Sequence, residues 1–280
     1  MIKINDICKS YKKKEVLKDI SLNLDNKVYG LLGPNGSGKT TLLRIIAGIL
    51  SSSKGIISYE KENFKDIKVG YLPQKYGVFK EMTLYEQMNY YAILKNIPIS
   101  LRKDNIETLL SNVNLTDYHV KCGSLSGGMI RRLGIAQAYL GVPDIILLDE
   151  PSAGLDLEER LRFQTILNQT KNCCPTIVST HIVEDVEDAC DYIIVLNKGK
   201  IVFYGTAQEI CGIANNHVFE VEEAVYNNLE VSHYVIKIFN EGNEKKYRII
   251  CDDKELESYS VTSQLEDGYM YLIKGPFHEI

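Results

Sequence analysis

At 280 residues, 45% hydrophobic and 25% charged, the chain is long enough to bury a real core and has the composition of an ordinary folded protein. A net charge of −5 provides no broad basic surface, so nucleic acid is not an expected partner. No apolar run approaches the ~18 residues of a membrane span, "MIKINDICKSYKKK" has no signal-peptide core, and seven scattered cysteines without a C-x-x-C pair read as reduced thiols in a cytosol.

Residues 2–32 read as short strands, the last being the apolar run "KVYGLLG". "KTTLLRIIAGI" (39–49) has helical spacing and ends near Gly48. Residues 55–72 return to strand-like pieces, and the stretch from Thr83 to about Asn112 is helical throughout. Further on, Met129, Leu133, Ala136 and Leu140 fall on one helical stripe, and "DIILLDE" is a buried-strand signal bounded by Pro143 and Asp149. A helix over 157–168, a strand "TIVST", a helix from His181 and a hairpin "DYIIVLNKGKIVFYG" follow. Strands alternating with helices imply a mostly parallel sheet with both faces covered.

Beyond about Cys211 the pattern changes. "HYVIKIFNEGNEKKYRIIC" reads as a hairpin with a polar turn and "GYMYLIKG" as a further strand. Residues 215–280 hold 13 acidic against 6 basic residues, a net of −7, whereas the preceding 24 acidic and 26 basic residues give +2. The expected organisation is therefore an α/β domain over 1–210, with a helical insert at about 83–141, and a small α+β or β module over 211–280.

Two stretches carry recognisable chemistry before any resemblance is invoked. "GPNGSGKT" (Gly33, Pro34, Asn35, Gly36, Ser37, Gly38, Lys39, Thr40), followed by Thr41, sits between a strand and a helix, the context of a Walker A phosphate loop. Its glycines let backbone N–H groups approach phosphate oxygens, Lys39 can reach the β- and γ-phosphates, and Thr40 can ligate Mg²⁺. "IILLDEP" adds Asp149 at a strand end, placed to orient a Mg²⁺ shell, and Glu150, placed to polarise an attacking water. ATP and Mg²⁺ are the expected ligands. A second turn, Leu125, Ser126, Gly127, Gly128 and Met129, opens a helix in the manner of an anion site but has neither lysine nor metal ligand.

"LSGGM" at Leu125–Met129 resembles the signature sequence of the ATP-binding cassette (ABC) family, and the family's other motifs occur in its order: "YLPQ" with Gln74, "DEPSAGLD", and "STH" with His181. The resemblance spans about residues 1–210 and implies the P-loop ATPase fold of that family, with an antiparallel β subdomain and a helical insert. It implies roles for Gln74 in sensing Mg²⁺ or the attacking water, for His181 near the γ-phosphate, and for Tyr11 in stacking on adenine. It also implies a D-loop of Ser152, Ala153, Gly154, Leu155 and Asp156 lying along a dimer interface. In this family two such domains dock head to tail, so the signature turn covers ATP held by the opposite chain, which explains its missing lysine. Many members carry glutamine at the position of Met129; "LSGGM" resembles a bacterial drug, peptide and antibiotic exporter branch.

The resemblance points to an ATPase subunit that pairs with itself or a homologous subunit and with a separate polytopic membrane subunit, peripheral on the cytoplasmic face. A non-transport ABC ATPase acting on a soluble assembly is the alternative. The double cassette, coiled-coil or zinc insert of many such proteins is missing from this sequence. A P-loop kinase is disfavoured by the signature, D-loop and His181 together.

Overall fold

The computed structural model describes residues 1–59, 67–242 and 244–274, and divides into two compact units, Met1–Ile201 and Val202–Ile280. The sequence reading places the change at 210/211, nine residues later; the division falls within the last strand of the large sheet.

In the first unit, β1 (Ile2–Tyr11) and β2 (Lys14–Leu24) pair antiparallel, with Ile2, Ile4, Ile7, Leu17, Ile20, Leu22 and Leu24 turned inward. β3 (Val28–Leu32) is buried at every position and delivers the chain into α1 (Lys39–Ile46). β4 (Lys54–Tyr59) pairs with the free edge of β1, completing a sheet of order β2-β1-β4. β5 (Val69–Leu72) leads to α2 (Leu84–Leu94), which a Thr83/Glu86 capping box starts, and to α3 (Ile99–Asn112). After a 3-10 turn at Cys122–Ser124 comes α4 (Gly127–Tyr139), then β6 (Ile145–Asp149), α5 (Leu157–Thr170), β7 (Thr176–Thr180), the single turn α6 (Glu184–Glu187), β8 (Tyr192–Asn197) and β9 (Lys200–Gly205).

The main sheet has the order β5-β6-β7-β3-β8-β9, and its first five strands run parallel. β3, β6 and β7 are buried along their whole length, as strands covered on both faces must be. One face packs Leu148 and Val178 against the insert helices through Leu84, Met88, Ile106 and Leu133. The other packs Leu31, Leu147 and Ile177 against Leu42, Leu43 and the apolar side of the antiparallel sheet. Because β5, β6, β7 and β3 are neighbours, the loops after their carboxyl ends converge on one edge, where α/β sheets place their ligands. The helix expected from His181 starts only at Glu184. The Thr180 hydroxyl accepts the Ile182 N–H at 3.0 Å, a local bond that competes with helix formation.

The second unit contains α7 (Ala207–Ile213), β10 (Val218–Glu222), the single turn α8 (Glu223–Tyr226), β11 (His233–Glu241), β12 (Glu244–Cys251) and α9 (Leu265–Lys274). Its sheet is antiparallel in the order β10-β12-β11, with Phe219, Val221, Tyr247 and Ile249 in the core. The "GYMYLIKG" strand expectation is overturned: Gly268–Lys274 belong to α9. Buried Leu265, Tyr269 and Leu272 recur at helical spacing, and packing of that stripe overrides the β propensity of Tyr and Ile. Among the described residues no disulfide forms, and no helix is long and apolar enough to cross a membrane.

Candidate functional site

The loop between β3 and α1 is shaped for close approach. Gly38 has φ 113°, and a Cβ on Gly33 would stand 2.2 Å from the Leu196 carbonyl oxygen. No side chain caps the N-terminus of α1, so its first N–H groups remain available to an anion. Lys39 is buried; its ammonium donates to the Gly33 carbonyl at 2.6 Å and to Pro34 at 3.4 Å, and lies 3.9 Å from Glu150 Oε1. Burial pushes its pKa down, against the pull of the Glu150 and Asp149 charges.

Asp149 ends β6 and is fully buried, yet neither carboxylate oxygen has a hydrogen-bond partner among the described residues. A buried carboxylate without a partner is costly, so this one is built for a polar ligand. Glu150 follows with φ 55°, a left-handed conformation that costs a non-glycine residue about 1–3 kcal/mol. Its N–H bonds the Ser179 carbonyl at 2.8 Å, and its Oε2 lies 2.8 Å from His181 Nδ1 just beyond β7. Lys39, Asp149, Glu150 and His181 therefore converge at the carboxyl ends of three adjacent strands.

Gln74 follows β5 with an exposed side chain, while its carbonyl accepts from the Arg131 guanidinium at 3.1 Å. Tyr11, at the end of β1, is 47% exposed with Lys9 Nζ 5.2 Å from its ring centroid. Its ring is open to a stacking partner.

The signature turn is separate from this cluster. Ser126 caps α4 by accepting the Met129 N–H at 3.2 Å, and its carbonyl accepts from Ile130 at 2.9 Å. Ser126 and Gly127 are exposed, and a Cβ on Gly127 would meet no described atom within 4 Å. Leu125 is buried, Met129 half-buried, and a Cβ on Gly128 would meet Glu159 Oε2 at 2.8 Å. Cys122, four residues before Ser126, is buried at 1% exposure, and burial raises its pKa. In the D-loop, the Ser152 hydroxyl donates to buried Asp185, which also accepts from Thr180 at 3.2 Å. Ala153 and Gly154 are exposed, Leu155 is buried, and Asp156 caps α5 by accepting the Glu159 N–H at 2.9 Å.

One central residue escaped the sequence reading. The buried Arg131 reaches carbonyls of both the Gln74 loop and the segment around Glu150. The run "MIRRL" gives no signal of this, because its acceptors are main-chain atoms distant in sequence.

Residues 17–153 match the family described as ABC transporter. The chain is 35% identical over 243 residues to the uncharacterized ABC transporter ATP-binding protein YxlF of Bacillus subtilis, covering 85% of this chain and 82% of that one. It is 34% identical over 226 residues to the ABC transporter ATP-binding protein NatA of the same organism, covering 75% and 91%. Among solved structures, the dimeric bacterial ABC transporter cassette MJ0796 superposes with a TM-score of 0.67 at 25% identity, over 74% of this chain and 98% of that one.

Proposed function

Because the chain belongs to the ABC transporter ATP-binding family and is an ATPase of that family, we propose that it powers export of a drug, peptide or antibiotic. In this reading two ATPase chains close head to tail on ATP and drive a separate polytopic membrane subunit from its cytoplasmic face. The observation that carries it is the convergence of Lys39, Asp149, Glu150 and His181 on one sheet edge, with an outward-facing signature turn that has no such partners of its own.

In one composite site, the Gly33–Gly38 backbone and α1 cradle the phosphates, Thr41 supports the same loop, and Lys39 turns its ammonium toward the β- and γ-oxygens. Glu150 draws a proton from the attacking water while His181 fixes its carboxylate. Tyr11 stacks on adenine. Thr40, Asp149 and Gln74 are the residues that would hold Mg²⁺, and the partnerless Asp149 carboxylate fits that ion. When bound, Mg²⁺ supplies neutralisation of charge on the phosphate oxygens. Ser126, Gly127 and Gly128 present N–H groups to a γ-phosphate on the opposite chain. Among the described residues Gly127 has no neighbour that demands glycine, which supports a close approach from another chain. The D-loop, Ser152–Asp156, lies along the same interface.

We assign residues 1–210 to the ATPase domain and 211–280 to a separate module. The membrane subunit docks between the Gln74 loop and the insert at 83–141, where Phe79, Tyr90, Ile93 and Leu94 are exposed and the Phe79 and Tyr90 rings meet edge to face at 5.4 Å. Export rests on resemblance alone, that of "EMTLYEQMNYYAILKNI" and "LSGGMIRRLGIAQAYLG" to bacterial exporters.

Affinity capture of the Glu150→Gln chain with Mg-ATP tests the whole reading. A co-purifying polytopic membrane protein is the expected result, and inverted vesicles carrying that protein with the parent chain should accumulate cargo on adding ATP. Capture of a soluble assembly alone would overturn the transport role. Accumulation only in right-side-out vesicles with ATP enclosed would reverse the direction.

A further inference from the structure

We propose that Arg131 is a positioning residue that locks α4, the Gln74 loop and the Glu150 backbone into one hydrolysis-competent unit; this rests on the reading of Glu150 as the base. The Arg131 guanidinium is buried, and among the described residues its hydrogen bonds all end on main-chain carbonyls. Nε donates to Pro151 at 3.2 Å, and Nη1 donates to Pro73 at 2.9 Å and Gln74 at 3.1 Å. Nη2 donates to the carbonyls of Asp149 and Glu150. Three consecutive carbonyls, 149 to 151, are thus gripped by one rigid fork, and the first two belong to the peptides on either side of the Glu150 Cα.

That is the residue held at φ 55°, a conformation that persists only where its surroundings over-determine it. Burial lowers the Arg131 pKa, and the Asp149 and Glu150 charges counter this without any carboxylate hydrogen bond to the guanidinium. Burying a charge merely to bind neutral carbonyls is a poor stabilising device compared with an apolar side chain. The planar five-donor geometry is what only arginine supplies. Arg131 also lies one turn into the helix that Ser126 caps, so the signature turn and the Glu150 peptide are joined through one side chain.

Releasing this fork lets the Glu150 backbone relax and shifts its carboxylate relative to His181 and Lys39, while the phosphate loop is untouched. Turnover then falls without loss of ATP affinity. The test compares Arg131→Gln and Arg131→Lys with the parent chain, measuring kcat, KM and equilibrium binding of a fluorescent ATP analogue with Mg²⁺, alongside Tm. For Arg131→Gln, kcat should fall on the order of ten- to a hundredfold while analogue affinity stays within about threefold. Arg131→Lys, which keeps the charge but not the fork, should recover part of that loss.

Unchanged kcat in either folded variant overturns the proposal. So does a parallel loss of kcat and binding that tracks the folded fraction, or failure of both variants to fold, since each assigns Arg131 to stability. Should Glu150→Gln retain full turnover in the parent chain, the reading of the base fails instead, and that outcome is visible without any Arg131 variant.

Discussion

Glu150 joins a left-handed backbone, a buried carboxylate and a bond to His181 in one residue. Glutamine preserves its size and one acceptor oxygen but cannot take a proton. Glu150→Gln should therefore bind ATP normally while turnover drops on the order of 10²- to 10⁴-fold. Size-exclusion chromatography with Mg-ATP should show a trapped dimer, and undiminished hydrolysis would remove Glu150 from its role. Lys39→Ala tests the phosphate loop. A hydrogen bond to a charged group is worth about 1.5–3 kcal/mol, so ATP affinity should fall roughly ten- to a hundredfold in a direct binding measurement. Unchanged affinity would remove the loop from phosphate binding. Lys39, Asp149 and Glu150 were legible in the sequence because each sits in a short motif whose spacing carries its chemistry, whereas His181 was legible only through the family resemblance. Arg131 was not, because its acceptors at 73–74 and 149–151 become neighbours only once β5 and β6 pair.

At the scale of elements, period decided what could be read. The fully buried run of β6 and the stripe along α4 are unambiguous, since a five-residue apolar run and a 3.6-residue repeat have few alternatives. "GYMYLIKG" satisfies both a strand and a helix pattern over eight residues, and only the upstream Leu265 tips the balance toward α9. The fit of α9 against α7 is tight: a Cβ on Gly268 would stand 2.0 Å from the Ile210 carbonyl oxygen. Two effects oppose each other at this position. Helix propensity favours alanine over glycine by about 1 kcal/mol. Overpacking against a backbone atom costs roughly 1–3 kcal/mol, and because that atom is not a flexible side chain the upper part of the range applies. Gly268→Ala should therefore destabilise the chain, read as a lower denaturation midpoint with unchanged m-value. A stabilised variant would show that α9 can move away from α7 at little cost.

For the molecule as a whole, the signature turn has the clearest consequence. Its glycine and serine face outward, as do Ala153 and Gly154 of the D-loop and the large apolar Leu157 and Leu161 of α5. An exposed apolar stripe beside an anion-ready helix start suits a partner surface better than solvent. A two-fold dimer has one interface with two identical sites, so each proposed site takes its phosphate loop from one chain and its signature from the other. Chains carrying Ser126→Arg alone, or Lys39→Ala alone, should be inactive because every site in each homodimer is damaged. Mixing them separates the two defects. In a mixed dimer one site combines both lesions, and the other pairs the intact Lys39 of one chain with the intact Ser126 of the other. With random pairing about half the dimers are mixed, each with one good site, so roughly a quarter of parental ATPase activity should return if the sites act independently. Recovery below that level measures how far each site depends on its twin. No recovery at all, with mixed dimers demonstrated by differential tagging, would mean either that the turn does not act across the interface or that one dead site silences both. Glu150→Gln mixed with parental chains distinguishes these outcomes, since it leaves phosphate loop and signature intact in every site. Activity there above the roughly one quarter that parental homodimers contribute by themselves, with none in the first mixture, would refute the head-to-tail arrangement.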